Sequence, residues 1–218
     1  MSHRPRPRSA TRPRPGPGRR RRVLAGAFAI VVAVGLAGCA QAFDPTGPCT
    51  SDGSAAGAYP DLEASVPSTY QGAKPGQLDS GRACSSQGLG TFAGHGVKEL
   101  RFAGGTWMTG TDSGISLAVF TDANGPALEP EWVTEFFETG ARTTGKNVTS
   151  IDTTDYAVTP SIDGRRIDVL NGESYQSIVI WEKNGKIAVA LIGNFIREIG
   201  TKDAHDKVVR AAVDTLAG

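Results

Sequence analysis

The chain has 218 residues, with 23 Lys and Arg side chains, 22 Asp and Glu side chains and a formal net charge of +1. This balance hides an asymmetry, because nine arginines and no acid lie within residues 1–22, so residues 39–218 carry 14 basic and 22 acidic side chains. An acidic body of this kind repels nucleic-acid phosphates, which excludes a nucleic-acid partner. Three Cys and three His are too few for a zinc or iron–sulfur framework, so we expect no metal and no cofactor.

The first 38 residues have the composition of an export signal. Residues 1–22 alternate Arg with Pro and end in four consecutive arginines, and residues 23–38 are uncharged and apolar. This apolar segment is shorter than the about 20 residues that a membrane-spanning helix needs. A positive segment followed by a short apolar one predicts a secretory signal peptide over residues 1–38.

The apolar segment ends in Leu36, Ala37, Gly38 and Cys39. All four positions of this tetrapeptide match the lipobox, and the segment resembles that of bacterial lipoproteins. The resemblance implies cleavage before Cys39, a diacylglycerol on its sulfur and a further acyl chain such as palmitate on its new amino group. Two or three acyl chains anchor a protein stably, so the expected location is the cell membrane, on its extracytoplasmic side. An ordinary signal peptide in which Cys39 is incidental stays open as the alternative.

The residues that follow are rich in Gly, Pro, Ser and Ala, which predicts a flexible tether over residues 39–60. Export to an oxidising compartment permits disulfides. If Cys39 carries lipid, Cys49 and Cys84 remain as an even pair, and we predict a bridge between them. Two free thiols are the alternative, because the sequence does not give the distance between their Cα atoms.

Residues 61–218 are predicted to form a single extracytoplasmic domain. In chain order, the hydrophobic periods predict strands over 98–108 and 114–120, a helix over 129–142, four strands over 147–159, 165–170, 177–183 and 186–192, and a helix over 203–216. The clearest signal is the Asn184-Gly185 turn, which predicts a hairpin that is central in its sheet. Hairpins followed by helices predict an α+β fold with an antiparallel sheet and both helices on one face.

The two β-β-α units, 98–143 and 147–217, also raise the hypothesis of an internal duplication. Their sequences do not align convincingly, so the absence of a duplication is the favoured alternative.

Few residues point to chemistry. His205 lies between Asp203 and Asp206, but an exposed helix N-terminus explains this group better than a metal site, because adjacent residues do not share a helix face. Trp107 and Met108 follow two glycines and could line a ligand cleft, although burial of the Trp is the commoner outcome. No nucleophile elbow or phosphate-binding loop occurs.

The sequence therefore favours a membrane-anchored lipoprotein that is a non-catalytic binding module for an envelope protein or a small ligand. Two alternatives stay open. One is an envelope hydrolase with a dispersed active site, and the other is a structural or chaperone-like surface domain without a ligand.

Overall fold

The computed structural model describes residues 43–125, 127–144 and 147–218. The predicted signal peptide and Cys39 lie outside the described residues. Eight strands form one sheet: β1 (Gly53–Ala55), β2 (Gln77–Ala83), β3 (Leu100–Met108), β4 (Gly114–Asp122), β5 (Val148–Thr159), β6 (Ile162–Asn171), β7 (Ser174–Lys183) and β8 (Lys186–Phe195). Within the described residues, five α-helices and one 3-10 helix accompany it: α1 (Pro60–Glu63), α2 (Ser86–Leu89), the 3-10 helix (Gly90–His95), α3 (Pro130–Thr144), α4 (Ile196–Ile199) and α5 (Lys202–Ala217).

All neighbouring strands of the sheet are antiparallel, in the order β1-β2-β3-β4-β8-β7-β6-β5. Each half of the chain contributes four consecutive strands followed by a long helix, and β4 pairs with β8 where the halves meet. The predicted α+β class with an antiparallel sheet is confirmed. The two halves share the order of four strands and a long helix, but short helices interrupt the strands of the first half, and the duplication itself stays a hypothesis.

The predicted placement of both main helices on one face is wrong. Along β4, Leu117 and Val119 pack in one apolar cluster and Ala118 and Phe120 in another, because successive strand side chains point to opposite faces. Helix α5 contributes Val209, Ala212, Val213 and Leu216 to the first cluster, and α3 contributes Val133 and Phe137 to the second. The sheet is therefore covered by one long helix on each face.

The first half contains elements that the sequence did not reveal. Residues 61–97 hold β2, α2 and the 3-10 helix, and α1 begins at Pro60. Leu62, Val66 and Tyr70 join α5 over one face, while Leu89 and Phe92 join α3 over the other. Of the helices in the described part of the chain, none is long and apolar enough to cross a bilayer.

Residues 43–60 pack against the domain and do not form a free tether. The flexible tether predicted over residues 39–60 is therefore shorter than expected. The predicted Cys49–Cys84 disulfide is confirmed, with Cα atoms 5.6 Å apart. Arg82 is only 4% exposed, and its guanidinium donates to the backbone carbonyls of Asp44, Pro45, Gly47 and Pro48 at 2.8 to 3.4 Å. β1 then pairs with β2. The disulfide and Arg82 thus hold the segment before β1 against the domain.

The β7–β8 hairpin lies in the core, as its two apolar runs predict. Ile180 and Val189 are fully buried towards α3, and Val179 and Trp181 are fully buried towards α5. A charge placed at Ile180 or Val189 would have no partner and would lose solvation. We expect Ile180→Asp or Val189→Asp to remove most of the domain's stability, which for such domains is about 5–15 kcal/mol. Thermal denaturation followed by circular dichroism measures this loss.

The matched control is Thr154→Asp on the edge strand β5, where the side chain is exposed. Thr153 is less suitable, because its hydroxyl donates to Glu138 of α3 and a carboxylate there would face another carboxylate. The control should have a melting temperature close to that of the parent protein. Hairpin variants that melt with the control would contradict the buried position of β7 and β8.

Candidate functional site

Two regions of the domain could carry function. The first, which we name the polar network, is a group of hydrogen-bonded side chains between α5 and strands β6 to β8. Its members are Arg166, Asp168, Ser177, Asn194, Lys202, His205 and Asp206. The second is an open groove beside the C-terminal end of α5.

His205 forms the buried centre of the polar network. It projects from the first turns of α5, and Nε2 lies 2.8 Å from Ser177 Oγ of β7. Its Nδ1 lies 2.7 Å from Asn194 Oδ1 of β8. Ser177 and His205 have no exposed surface, and Asn194 is 3% exposed. The three side chains therefore connect α5 to two neighbouring strands within the core.

Ion pairs surround this centre towards the surface. Arg166 of β6 contacts Asp168 at 2.9 Å and also pairs with Asp206 of α5. Lys202 lies 2.6 Å from Asp206 and 3.5 Å from Asp168. Two cations and two carboxylates alternate, so each charge has opposite charges as neighbours. This arrangement offsets the cost of partly burying four charged groups.

The order Ser177, His205, Asn194 is that of a nucleophile, a base and an orienting group. The surroundings do not suit catalysis. Ser177 Oγ accepts a hydrogen bond from Arg166 Nη2 at 3.2 Å and donates to Asp168 Oδ1. With no exposed surface on Ser177 or His205, a substrate carbonyl has no approach to the hydroxyl. The network is best interpreted as a structural element that holds α5 against the sheet.

Burial lowers the pKa of His205 to about 4, because the charged imidazolium would lose its solvation. The positive charges of Lys202 and Arg166 add to the effect, and Asp168 and Asp206 oppose it. Tyr175 of β7 lies beside the ring, with centroids 5.6 Å apart. His205 is therefore neutral at physiological pH.

The interpretation of His205 as part of an exposed helix N-terminus is wrong. His205 lies on the same stripe as Val209, Ala212, Val213 and Leu216, all of which are buried. The spacing of four residues from His205 to Val209 was present in the sequence and was the signal that could have revealed it. Asp206 forms ion pairs with Arg166 and Lys202 and is not placed to bind a metal ion with His205.

Trp107 and Met108 do not line a common cleft. They are consecutive on β3 and so point to opposite faces of the sheet. Trp107 is 3% exposed, packs in the α5-side cluster and donates from Nε1 to the carbonyl of Ala73 at 2.9 Å. Met108 is 68% exposed at the end of the strand. The ligand site predicted at these two residues is not formed.

The groove lies on the α5 side of the sheet and has a volume of about 550 Å³. One wall is the segment 64–69 that follows α1, and the other is formed by the β7–β8 turn and the end of α5. Val66, Val119 and Leu216 are buried and give an apolar floor. A volume of this size falls within the range of small-molecule sites.

The walls of the groove are polar and basic. Their donors are the hydroxyls of Ser68 and Thr69 and the ammonium groups of Lys183 and Lys186, whereas the hydroxyls of Ser65 and Thr215 donate to the carbonyls of Asp61 and Ala211. Lys183 Nζ donates to the carbonyl of Leu216 at 2.5 Å, which holds it at the wall and satisfies one terminal carbonyl of α5. Among the described residues that line the groove there is no Asp or Glu. No local sequence pattern indicates this site, because its residues are distant in the chain.

Among the described residues, no group of three or more His, Cys, Asp or Glu side chains is arranged to hold a metal ion. Comparison with known protein families finds no family model that matches the chain, and no curated protein matches it significantly.

The polar network predicts a pH dependence of stability. The pKa of His205 is about 4 in the folded chain and about 6.5 when unfolded, so the unfolded chain binds more protons between these values. The contribution of His205 to the free energy of unfolding is complete above pH 6.5 and falls as the pH decreases towards 4. We expect a loss of about 2 kcal/mol between pH 7 and pH 5, measured by urea denaturation.

His205→Gln should lower the stability at pH 7 and flatten the profile between pH 7 and pH 5. The control is Thr154→Gln, which changes an exposed side chain of β5 that does not titrate. The control should keep the slope of the parent protein. An unchanged slope in His205→Gln would show that His205 is not the titrating group.

Proposed function

We propose that the protein is a lipoprotein of the bacterial cell envelope, anchored on the extracytoplasmic side through acylated Cys39. We propose further that its domain is a non-catalytic binding module that holds a small ligand in the groove. The observation that carries this proposal is the contrast between the two regions. The groove is open, lined by hydrogen-bond donors and floored by apolar side chains, whereas Ser177 and His205 are sealed.

The contrast also weighs against a hydrolase. An enzyme needs its nucleophile and base within reach of a substrate. Opening the polar network would require α5 to leave the sheet, which would expose Val209, Val213 and Leu216 of the core. The groove needs no such movement. A binding protein is therefore the function that the geometry supports best.

Anchoring is tested with Cys39→Ser in the full chain. Two or three acyl chains hold a protein stably at a membrane, and a serine at this position accepts no thioether-linked lipid. We expect the variant to leave the membrane fraction or to accumulate as an uncleaved precursor, as seen by fractionation and mass spectrometry. Complete maturation with full membrane retention would refute the lipid anchor.

The groove is tested by nuclear magnetic resonance on the full-length protein with three soluble eight-carbon amphiphiles. Octyl phosphate is anionic, octyl glucoside neutral and octyltrimethylammonium cationic. At least one should shift the amide signals of Ser68 and Asn184 in a saturable manner. Ser68→Trp should abolish that shift, because the indole fills the groove from its exposed rim.

Thr154→Trp, on the exposed face of the edge strand, is the matched control and should leave the shift unchanged. If none of the three amphiphiles moves these signals, or if Ser68→Trp has no effect, the groove is not the binding site and the proposal fails.

A further inference from the structure

Residues 43–49, which follow Cys39 and are held to the domain by Arg82 and the disulfide, are named the anchored segment. The position of the groove relative to this segment points to a ligand class. We infer that the groove takes the anionic headgroup of a lipid from the membrane to which the protein is anchored. This inference rests on the proposed function, because it requires both the anchor at Cys39 and a ligand in the groove. Three features of the structure support it.

The first feature is that the anchored segment and the groove lie at the same end of the sheet. Ala83 ends β2 and pairs with Leu100 of β3, which pairs with Asp122 of β4. Phe120 of β4 pairs with Ile187, next to the β7–β8 turn. Cys84 follows Ala83 directly and bonds to Cys49 of the anchored segment. The segment and the turn that forms one groove wall therefore share one end of the sheet.

The second feature is distance. Because Arg82 binds the carbonyl of Asp44, only five peptide units separate Cys39 from a fixed point, a span of at most about 18 Å. Three strand spacings of about 4.8 Å separate β2 from β8, so the groove lies about 15 Å to the side of that point. A lipid-anchored Cys39 keeps this end of the domain close to the headgroups.

The third feature is the chemistry of the groove. The ammonium group of Lys186 favours an anion, and that of Lys183 offsets the partial negative charge at the C-terminal end of α5. The hydroxyls of Ser68 and Thr69 can donate to phosphate oxygens. Val66 and Leu216 offer an apolar floor to the first methylene groups of an acyl chain. A phosphate next to a hydrocarbon chain is the junction that phospholipids present at the membrane surface.

The test uses the full-length lipidated protein in nanodiscs of phosphatidylcholine. Soluble dihexanoyl phosphatidylglycerol is titrated while the amides of Ser68 and Asn184 are followed. Dihexanoyl phosphatidylcholine and inorganic phosphate serve as the neutral lipid and the free anion. We expect saturable binding of the phosphatidylglycerol, much weaker binding of the phosphatidylcholine and no saturation by phosphate. Nanodiscs that contain long-chain phosphatidylglycerol should produce the same shifts without added ligand.

Lys186→Gln should weaken the binding of dihexanoyl phosphatidylglycerol by about fivefold, the contribution of one lysine near an anionic lipid. The matched control is Lys207→Gln, which removes the same charge from an exposed position of α5 outside the groove and should leave the affinity unchanged. Lys183 is avoided because it also binds the carbonyl of Leu216. An equal loss in both variants would overturn the inference, since general attraction to charge would explain it.

The remaining outcomes separate the two proposals. Equal binding of the neutral and anionic lipids would overturn the ligand class while the groove remained a binding site. Tight binding of inorganic phosphate alone would overturn the lipid in favour of a free anion. Binding of the short-chain lipid without any effect of long-chain phosphatidylglycerol in the nanodisc would overturn the membrane as the source. No shift with any amphiphile would refute both the inference and the proposed function.

Discussion

The pairing of β4 with β8 is the constraint on which the rest of the domain depends. These strands join the two halves of the chain into one sheet, and both of their faces are apolar. Val119 and Ala188 form a cross-strand pair on the α5 side, and Phe120 and Ile187 form one on the α3 side. An antiparallel sheet that is apolar on both faces needs a layer of other elements packed on each face. Helix α3, the end of the first half, covers one face, and α5, the end of the second half, covers the other.

The two coverings differ, and the difference creates the groove. On the α3 side, the aromatic rings of Phe92, Phe136 and Phe137 fill the space between helix and sheet. On the α5 side, a helix and a loop segment share the face, and between them Val119 of β4 forms part of the groove floor. A helix paired with an irregular segment leaves a gap that two parallel helices would close. The groove thus forms because the irregular segment 64–69, and not a second long helix, lies beside α5 on this face.

The sequence contained enough to predict the strands of the second half, because hydrophobic period and the Asn184-Gly185 turn are local signals. The same runs are apolar at nearly every position, which implies that both faces of the sheet are covered, in contrast to the predicted placement of both helices on one face. β2 could not be predicted, since Ser80 and Arg82 are polar and yet buried. Their burial depends on partners far along the chain, the backbone of Tyr59 and the carbonyls of residues 44–48. The groove and the polar network depend on such distant contacts as well.

The buried guanidinium of Arg82 fixes residues 44–48 to the domain, which limits how the domain can move relative to Cys39. A long flexible linker would let a domain turn freely and sample the space above a membrane. Here four carbonyls accept hydrogen bonds from one side chain, and a disulfide closes the same segment onto β2. Only three residues separate Cys39 from Phe43, the first residue described. If Cys39 carries the lipid, the attachment restricts the orientation of the domain as well as its distance from the bilayer. A binding module for a diffusing ligand gains nothing from such restriction, whereas one that meets its ligand at the bilayer surface needs its site held towards that surface.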